Sequence, residues 1–270
     1  MPRIDGLSAV VDWLRCPGCR AELDVTDATV VCGLGHSFDI ARQGYVNFRS
    51  KAAPGNADTA TMLHARDRFL ATGHYRPIQI AASQALGEAS RLLEVGAGTG
   101  YYLAGCLDAL PAARGLATDV SPAAARLAAR AHPRAASAVA DTWEGLPLLD
   151  RAVDAVLCVF APRNPAEFAR VLQPGGVAVI VVPRPEHLAE VRRVHGLLDV
   201  PADKASDVAR RMAPDFTALA TTSVTRELSL NHDQVGDLIG MGPNAFHAVS
   251  PRGAGMTTWL AVDVVSFQRR

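Results

Sequence analysis

Residues 91–100, "RLLEVGAGTG", leave this chain few folds to choose from. A short apolar run breaks into glycines and is followed by the helix-compatible "YYLAGCLDAL". The rhythm recurs in "RGLATDV" and "SPAAARLAARA", in "ASAVAD", in "VDAVLCVFA" and "NPAEFARVL", and in "GGVAVIVVP" and "EHLAEVRRVHGLL". Strand-length apolar runs alternating with helices predict a mainly parallel sheet covered by helices, because parallel neighbours need a crossover and the helix supplies it. After these come "TTSVTRELSL", the helix-like "DQVGDLIGM" and "TTWLAVDVVSFQR". The long connection between the last two strands predicts antiparallel completion of one sheet edge. No internal repeat is visible.

The front of the chain follows different rules. Cys16 and Cys19 form a C-x2-C knuckle with the turn formers Pro17 and Gly18 between them, and Cys32 with His36 forms a second pair. Three thiolates and one imidazole make a closed tetrahedral set suited to Zn2+, and a module this short cannot bury enough apolar surface to fold without help. With no ligand position left open, the metal is expected to be structural. Cys106 and Cys158 lie in apolar patterns and read as core. Five cysteines, three of them clustered, suit a reducing compartment. No basic start leads into an apolar leader, and no apolar run approaches membrane-spanning length, so a cytoplasmic protein with no membrane partner is expected.

The segment "RSKAAPGNADTA" reads as a linker, followed by two helical stretches, "DTATMLHARDRFLATGHY" and "RPIQIAASQALGEAS". The expected organisation is residues 1–50 as a zinc-binding module, 51–85 as linker and helices, and 86–270 as the alternating α/β domain. In the last of these, Gly96, Gly98 and Gly100 stand at a strand-to-helix turn, where they allow a tight bend and close approach of the backbone to a ligand. Their G-x-G-x-G spacing, with Glu94 two residues ahead, resembles motif I of S-adenosylmethionine-dependent methyltransferases. The spacing counts against a dinucleotide dehydrogenase, which uses G-x-G-x-x-G. Asp119 closes the second strand, where an acid can accept from both ribose hydroxyls, and Ser121 with Pro122 is the better helix cap, which leaves Asp119 to the ligand. Asp141, after the third strand, is placed near the adenine or caps its strand.

Taken together, "CPGC…CGLGHSFDIARQGYVNF", "ADTATMLHARDRFLATGHYRPI", "FAPRNPAEFARVLQPGG", "VVPRPEHLAEV" and "MGPNAFH" resemble the RlmA family nearly end to end. These are bacterial methyltransferases of guanine N1 in a domain II hairpin of 23S ribosomal RNA, and "MGP" looks like the Gram-positive branch associated with tylosin and mycinamicin resistance. The resemblance implies a class I fold, Rossmann-like with a mainly parallel seven-stranded sheet, behind an N-terminal zinc ribbon. It implies zinc on Cys16, Cys19, Cys32 and His36. It places cofactor contacts on Tyr75, on the turn Gly98, Thr99, Gly100 and Tyr101, and on His187. It makes 1–50 an RNA-recognising module, packs the helices of 51–85 on the cofactor site and makes 86–270 the methyltransferase domain, in a homodimer that holds the RNA in a cleft.

Net charge is zero, with 27 basic and 27 acidic residues, so RNA binding must rest on a local patch. Between Arg42 and Arg76 six basic residues (Arg42, Arg49, Lys51, Arg66, Arg68, Arg76) face two acids (Asp58, Asp67), an expected phosphate stripe. Phe38, Tyr45 and Phe48 lie beside it as stacking candidates or as ribbon core. Phe160, Ala161 and Pro162 at the end of the fourth strand favour a ring nitrogen over an exocyclic amine as acceptor. No residue declares itself as catalytic base; Asp141, Arg163 and Asn164 are placed to face the guanine. A small-molecule methyltransferase, or a non-catalytic RNA-binding protein retaining the fold, are the alternatives.

Overall fold

The computed structural model describes residues 4–242, 245, 253 and 255–270. Helix α1 (Asp5–Ser8) and a single 3-10 turn (Val11–Trp13) lead into four short strands: β1 (Leu23–Val25), β2 (Thr29–Cys32), β3 (Ser37–Asp39) and β4 (Tyr45–Asn47). Helices α2 (Ala60–Ala71) and α3 (Arg76–Leu86) follow. The alternating part consists of β5 (Arg91–Val95), α4 (Tyr101–Ala109), β6 (Arg114–Asp119), α5 (Pro122–Ala128), β7 (Ala135–Val139), β8 (Val153–Val159), α6 (Pro165–Val171) and β9 (Leu172–Pro183). It is completed by α7 (Ala189–His195), α8 (Lys204–Met212), β10 (Phe216–Asn231), α9 (His232–Gly240) and β11 (Gly255–Arg269). Of the "MGPNAFH" phrase, residues 243–244 and 246–247 lie outside the described residues.

Side-chain caps set several helix starts. Thr59 accepts from the Met62 amide at α2, and Ser121 accepts from Ala124 at α5 with Pro122 in the first turn. Asn164 does the same for α6 ahead of Pro165, and Asn231 with Gln234 forms a reciprocal capping box on α9.

The large sheet has the order β10-β11-β9-β8-β5-β6-β7-β4. Neighbours from β9 to β4 are parallel, and β11 and β10 add antiparallel strands at the other edge, as the late strands predicted. Among the described residues it therefore has eight strands, not seven. The additional one is β4, whose Tyr45, Val46 and Asn47 pair with Ser137, Ala138 and Val139. Three residues are too short for a periodic signal, and their partner is remote in sequence. So the last strand within the segment expected to be a separate module, 1–50, is the edge strand of the large sheet.

The amino-terminal turns are packed just as closely. Arg15 N–H donates to the Pro147 carbonyl at 3.1 Å and Leu149 N–H to that of Trp13 at 2.8 Å. A Cβ on Gly6 would stand 2.7 Å from the Ala135 carbonyl oxygen, so α1 rides directly on β7. Leu7, Val10, Trp13 and Leu14 share one core with Cys16 and Val30 of the ribbon and with Ala136, Leu148 and Phe168 of the large domain. A second core, built from α2, α3, α4 and α9, covers the opposite sheet face. Helix α8 has no counterpart in the expected order, although Ala205, Val208, Ala209 and Met212 carry helical spacing. No helix among the described residues is long and apolar enough to cross a membrane.

Trp13 is fully buried in the shared core. Trp13→Ala should cost about 3–5 kcal/mol of unfolding free energy. Urea denaturation followed by far-UV circular dichroism should show the loss in the whole-chain transition, because the residue joins ribbon to sheet. A loss under 1 kcal/mol, roughly that of a surface change, would contradict the shared core.

Candidate metal centre and cofactor site

The four expected metal ligands converge: their ligating atoms all lie within 4.8 Å of one another. One pair is set by a turn in which Arg20, left-handed at φ 65°, returns its amide to the Cys16 carbonyl. The other is set by the β2–β3 hairpin, where Cys32 N–H donates to the His36 carbonyl at 3.0 Å. Cys19 Sγ and Cys32 Sγ are 3.6 Å apart, and Cys32 Sγ is 3.4 Å from His36 Nδ1. Tetrahedral Zn–S bonds of ~2.3 Å require sulfur separations of roughly 3.8 Å, so the spacing suits zinc and is far too long for a disulfide. Burial pushes the Cys32 thiol up, but the amides of Leu34 and His36 and the His36 ring outweigh it and bring it down to about 6. A thiolate-ready sulfur is what a metal needs. Burial pushes Cys106 and Cys158 up to about 12, consistent with inert core thiols.

The glycine-rich turn occupies the carboxyl end of β5. Gly96 has φ 70°, and a Cβ there would collide with the Ala161 side chain, so the turn after β5 touches the one after β8. Gly98 has φ 55°, with a Cβ 2.7 Å from the Arg66 guanidinium. Thr99 is buried, and Gly100 with Tyr101 opens α4. Glu94 is 1% exposed and its Oε2 accepts from Leu103 N–H at 3.1 Å, so this carboxyl caps α4 from outside the helix. Burial pushes it up to about 8.

Asp119 is less free than its neighbour Ser121 suggested. Ser121 does cap α5, but Asp119 Oδ2 accepts from Gly98 N–H and Oδ1 from Ser121 N–H, both at 2.9 Å. Each oxygen retains a second lone pair for a ligand. Burial raises this carboxyl, and those two amides oppose the rise. The linker lies on top: Ser121 Oγ donates to the Asp58 carbonyl at 2.7 Å, and the Asp58 carboxylate pairs with Arg66, which also reaches the Met241 carbonyl. Arg66 and Asp58, eight positions apart, gave no pattern that would single them out. Asp141 accepts from Trp143 N–H at 2.9 Å and lies 3.7 Å from Arg49. Beside it, Thr142 Oγ1 and one Arg49 nitrogen are buried with no partner among the described residues, polar atoms left for a ligand to satisfy. A turn held open by glycines, an acid with spare lone pairs and unpaired buried donors together fit a nucleoside cofactor.

Tyr75 and His187, far apart in sequence, meet. His187 Nδ1 accepts from Ala261 N–H at 3.2 Å, so in the neutral ring Nε2 carries the proton and donates to the Tyr75 hydroxyl at 3.3 Å. The phenol's own proton is then free for another acceptor. Burial, with Arg192 and Lys204 nearby, pushes His187 down to about 3. The Phe160 ring stacks on it, centroids 5.8 Å apart at 22°. Phe160 and Leu188 both adopt left-handed backbone, φ 54° and 55°, which costs about 1–3 kcal/mol per residue and clusters at functional sites.

Four of the six stripe cations are matched to acids on folding, while Arg42 and Arg76 stay exposed with no ion pair among the described residues. Arg49 and Lys51 pair with Glu144 at 3.2 and 3.0 Å, Arg66 with Asp58, and Arg68 with Asp237 at 2.5 Å. Three of these four find an acid from elsewhere in the chain, which a local count of residues 42–76 omits. Phe48 is buried edge-on against Phe38, centroids 5.0 Å apart, so both belong to the ribbon's packing, and Tyr45 is half-buried. Asn164 Oδ1 accepts from Glu167 N–H as the α6 cap and its Nδ2 donates to the Thr142 carbonyl, which leaves the amide one further proton and one further lone pair.

Comparison with known proteins agrees with both halves. The RlmA N-terminal zinc-ribbon family matches residues 14–48, and a methyltransferase-domain family matches residues 92–176. The 23S rRNA (guanine(748)-N(1))-methyltransferase of Streptomyces fradiae is 45% identical, covering 88% of this chain and 87% of its own length. A Micromonospora griseorubida relative, with the provisional name 23S rRNA (guanine-N(1)-)-methyltransferase, is 45% identical over 87% of each chain. Among solved structures, the YcgJ protein of Bacillus subtilis superposes with a TM-score of 0.52 at 15% identity, covering 73% of this chain and 99% of its own, a likeness of fold alone. Zinc ribbon, S-adenosylmethionine fold and near full-length identity converge, and the chain belongs to the RlmA family of 23S rRNA (guanine-N1)-methyltransferases.

Proposed function

We propose that this protein transfers a methyl group from S-adenosylmethionine to N1 of a guanine in a domain II hairpin of 23S rRNA, with a guanine of the 748 type as target. The observation that carries this reading is the 45% identity to the Streptomyces fradiae enzyme across ribbon and catalytic domain together. The reading extends to a cytoplasmic homodimer and to macrolide resistance as the consequence of the modification.

When bound, the cofactor supplies a sulfonium-activated methyl group; the chain supplies alignment and exclusion of water. In this reading Asp119 would hold the ribose, Asp141 and Thr142 the base, and the Gly96–Gly100 turn, with Thr99 and Tyr101, the amino-acid portion. Glu94 braces that turn by capping α4. Tyr75 offers its hydroxyl proton, oriented by His187. A His187 that stays neutral places no positive charge beside a cationic donor. Guanine N1 must shed its proton to attack, yet Asp119 and Asp141 are engaged by amides and Glu94 is sealed from solvent. None of these three carboxylates stands out as a dedicated base, and the reading assigns the proton to solvent.

Labelled cofactor with 23S transcript should methylate one guanine in that hairpin and create a reverse-transcriptase stop, since N1-methylguanine cannot pair. Absence of both label and stop from transcript and from assembled subunits would sink the assignment. Cys16→Ser combined with Cys19→Ser should lower bound zinc from near one equivalent to near none by elemental analysis, with a lower melting temperature and lost RNA methylation. Full zinc occupancy in that variant would show that the ligand set is wrong. Glu94 makes a signed pH prediction. Its folded carboxyl titrates at about 8 against an ordinary 4.5, so between those values the folded state holds a proton that the unfolded state has released. That contribution to stability is full below about 4.5 and lost as pH rises toward 8. Glu94→Gln should therefore lose less stability than wild type between pH 5 and 8 in urea titrations of the cofactor-free protein. Parallel pH curves would contradict the shift.

A further inference from the structure

A cleft of about 210 Å3 opens beside the donor site, lined by Trp143, Pro162, Arg163, Val208, Arg211 and Met212. Its walls are the loop after β7, the loop after β8 and helix α8. Both loops lie at the carboxyl end of the sheet, and Pro162 and Arg163 follow directly on the Phe160 that stacks against His187.

Trp143 is 64% exposed, whereas the Trp13 indole is fully buried. Its mounting is rigid all the same. Its amide donates to Asp141, Arg49 bridges Asp141 and Glu144 on either side of it, and Asn164 Nδ2 donates to the Thr142 carbonyl at 2.9 Å, tying the two loops together. A large apolar ring displayed on a fixed backbone costs solvation and is worth keeping where a flat partner covers it.

The opposite wall carries charge. Lys204, Val208, Arg211 and Met212 share one face of α8 by helical spacing, with Val208 and Met212 buried beneath. Among the described residues, no carboxylate lies within 4 Å of Arg163 or of Lys204, unlike Arg49, Lys51, Arg66 and Arg68. Arg210 and Arg211 share the single carboxylate of Asp207, and Asp203 is the remaining acid of the helix and its N-terminal flank. Burial and the neighbouring Arg163 both push the Lys204 ammonium down, so these two like charges feel one another with no acid between them. The chain has zero net charge and pairs Arg49, Lys51, Arg66 and Arg68 with acids, yet leaves the half-buried Arg163 and Lys204 without one among the described residues.

We propose that this cleft receives the RNA strand flanking the target guanine: an unpaired base stacks on Trp143, while Arg163, Lys204 and Arg211 take the adjoining phosphates. The assignment rests on the rRNA reading above and extends it to a surface. Aromatic stacking with phosphate contacts on either side is how single-stranded loops are held.

The test measures binding of a 23S domain II hairpin transcript to the zinc-loaded protein by fluorescence anisotropy across a salt series, separately from methylation. Trp143→Ala should weaken binding about tenfold with an unchanged salt slope. Arg163→Ala with Lys204→Ala should flatten the slope of log affinity against log salt by roughly 1.4. Both variants should keep wild-type zinc content and cofactor affinity and raise the KM for RNA. Affinities and slopes equal to wild type overturn the proposal. So does a Trp143→Ala variant that dissociates a dimer in sedimentation while each protomer binds RNA as before, since Trp143 would then be a subunit contact. Weakened binding in the variants supports the cleft even where wild type leaves the hairpin unmethylated, an outcome that overturns only the guanine reading.

Discussion

The parallel pairing of Tyr45, Val46 and Asn47 with β7 fixes the relation of everything before it to everything after. A three-residue strand does not hold itself in place, because each backbone hydrogen bond nets only about 0.5–1.5 kcal/mol against the entropy of ordering the chain. It persists because Val46 is fully buried in the core that also contains Trp13, Leu14 and Val30, and because the ribbon behind it is closed by four metal ligands. The direction of that strand has a consequence at the site. The chain leaves β4 at the carboxyl end of the sheet, where Phe48 N–H bonds the Val139 carbonyl and Arg49 meets Asp141. From there the linker crosses to place the Asp58 carbonyl on Ser121 and Arg66 over Gly98. The metal module and the roof of the donor site are thus ordered by one piece of backbone.

Residues with a local cause were legible. The cap at Ser121 was written in adjacent positions, and the strand-helix rhythm announced a mainly parallel sheet because each unit is local and its crossover follows from chirality. The four metal ligands were equally plain, since ligand spacing is a short-range property. What escaped had remote causes. Strand β4 is recognised only by its partner, and Arg49 reads as a free cation until Glu144 is seen beside it. Phe160 gave a sequence hint at the pocket lip, but its stacking on His187 needs two left-handed residues that no propensity favours. Helix α8 was a different miss. Its spacing was adequate, but the stripe of Ala205, Val208, Ala209 and Met212 has only two large apolar side chains, Val208 and Met212, among polar neighbours.

The distribution of charge separates two jobs that composition merges. Near the donor turn Arg66 is matched to Asp58, and Arg49 lies against Asp141 and Glu144. That matching suits a pocket for a ligand bearing both a carboxylate and a sulfonium, where unbalanced protein charge of either sign would favour one end of the ligand over the other. Arg163 and Lys204, beyond the Phe160 lip, are unmatched, and a polyanion is the partner for which that imbalance is favourable.

His187 lies on the boundary between these zones, and its protonation state keeps them distinct. Held between the Ala261 amide and the Tyr75 hydroxyl, the ring has one nitrogen committed to accepting and one to donating. Burial, with Arg192 and Lys204 adding repulsion, disfavours the charged ring and drives its titration down to about 3; protonating Nδ1 would also break the bond from Ala261. The neutral ring can therefore support Phe160 as an apolar platform at every physiological pH, with the positive strip starting just outside it. In the proposed reading a charged imidazole there would extend the strip inward toward the cationic methyl donor. Desolvation of one histidine would then keep the proposed phosphate-binding surface out of the cofactor pocket.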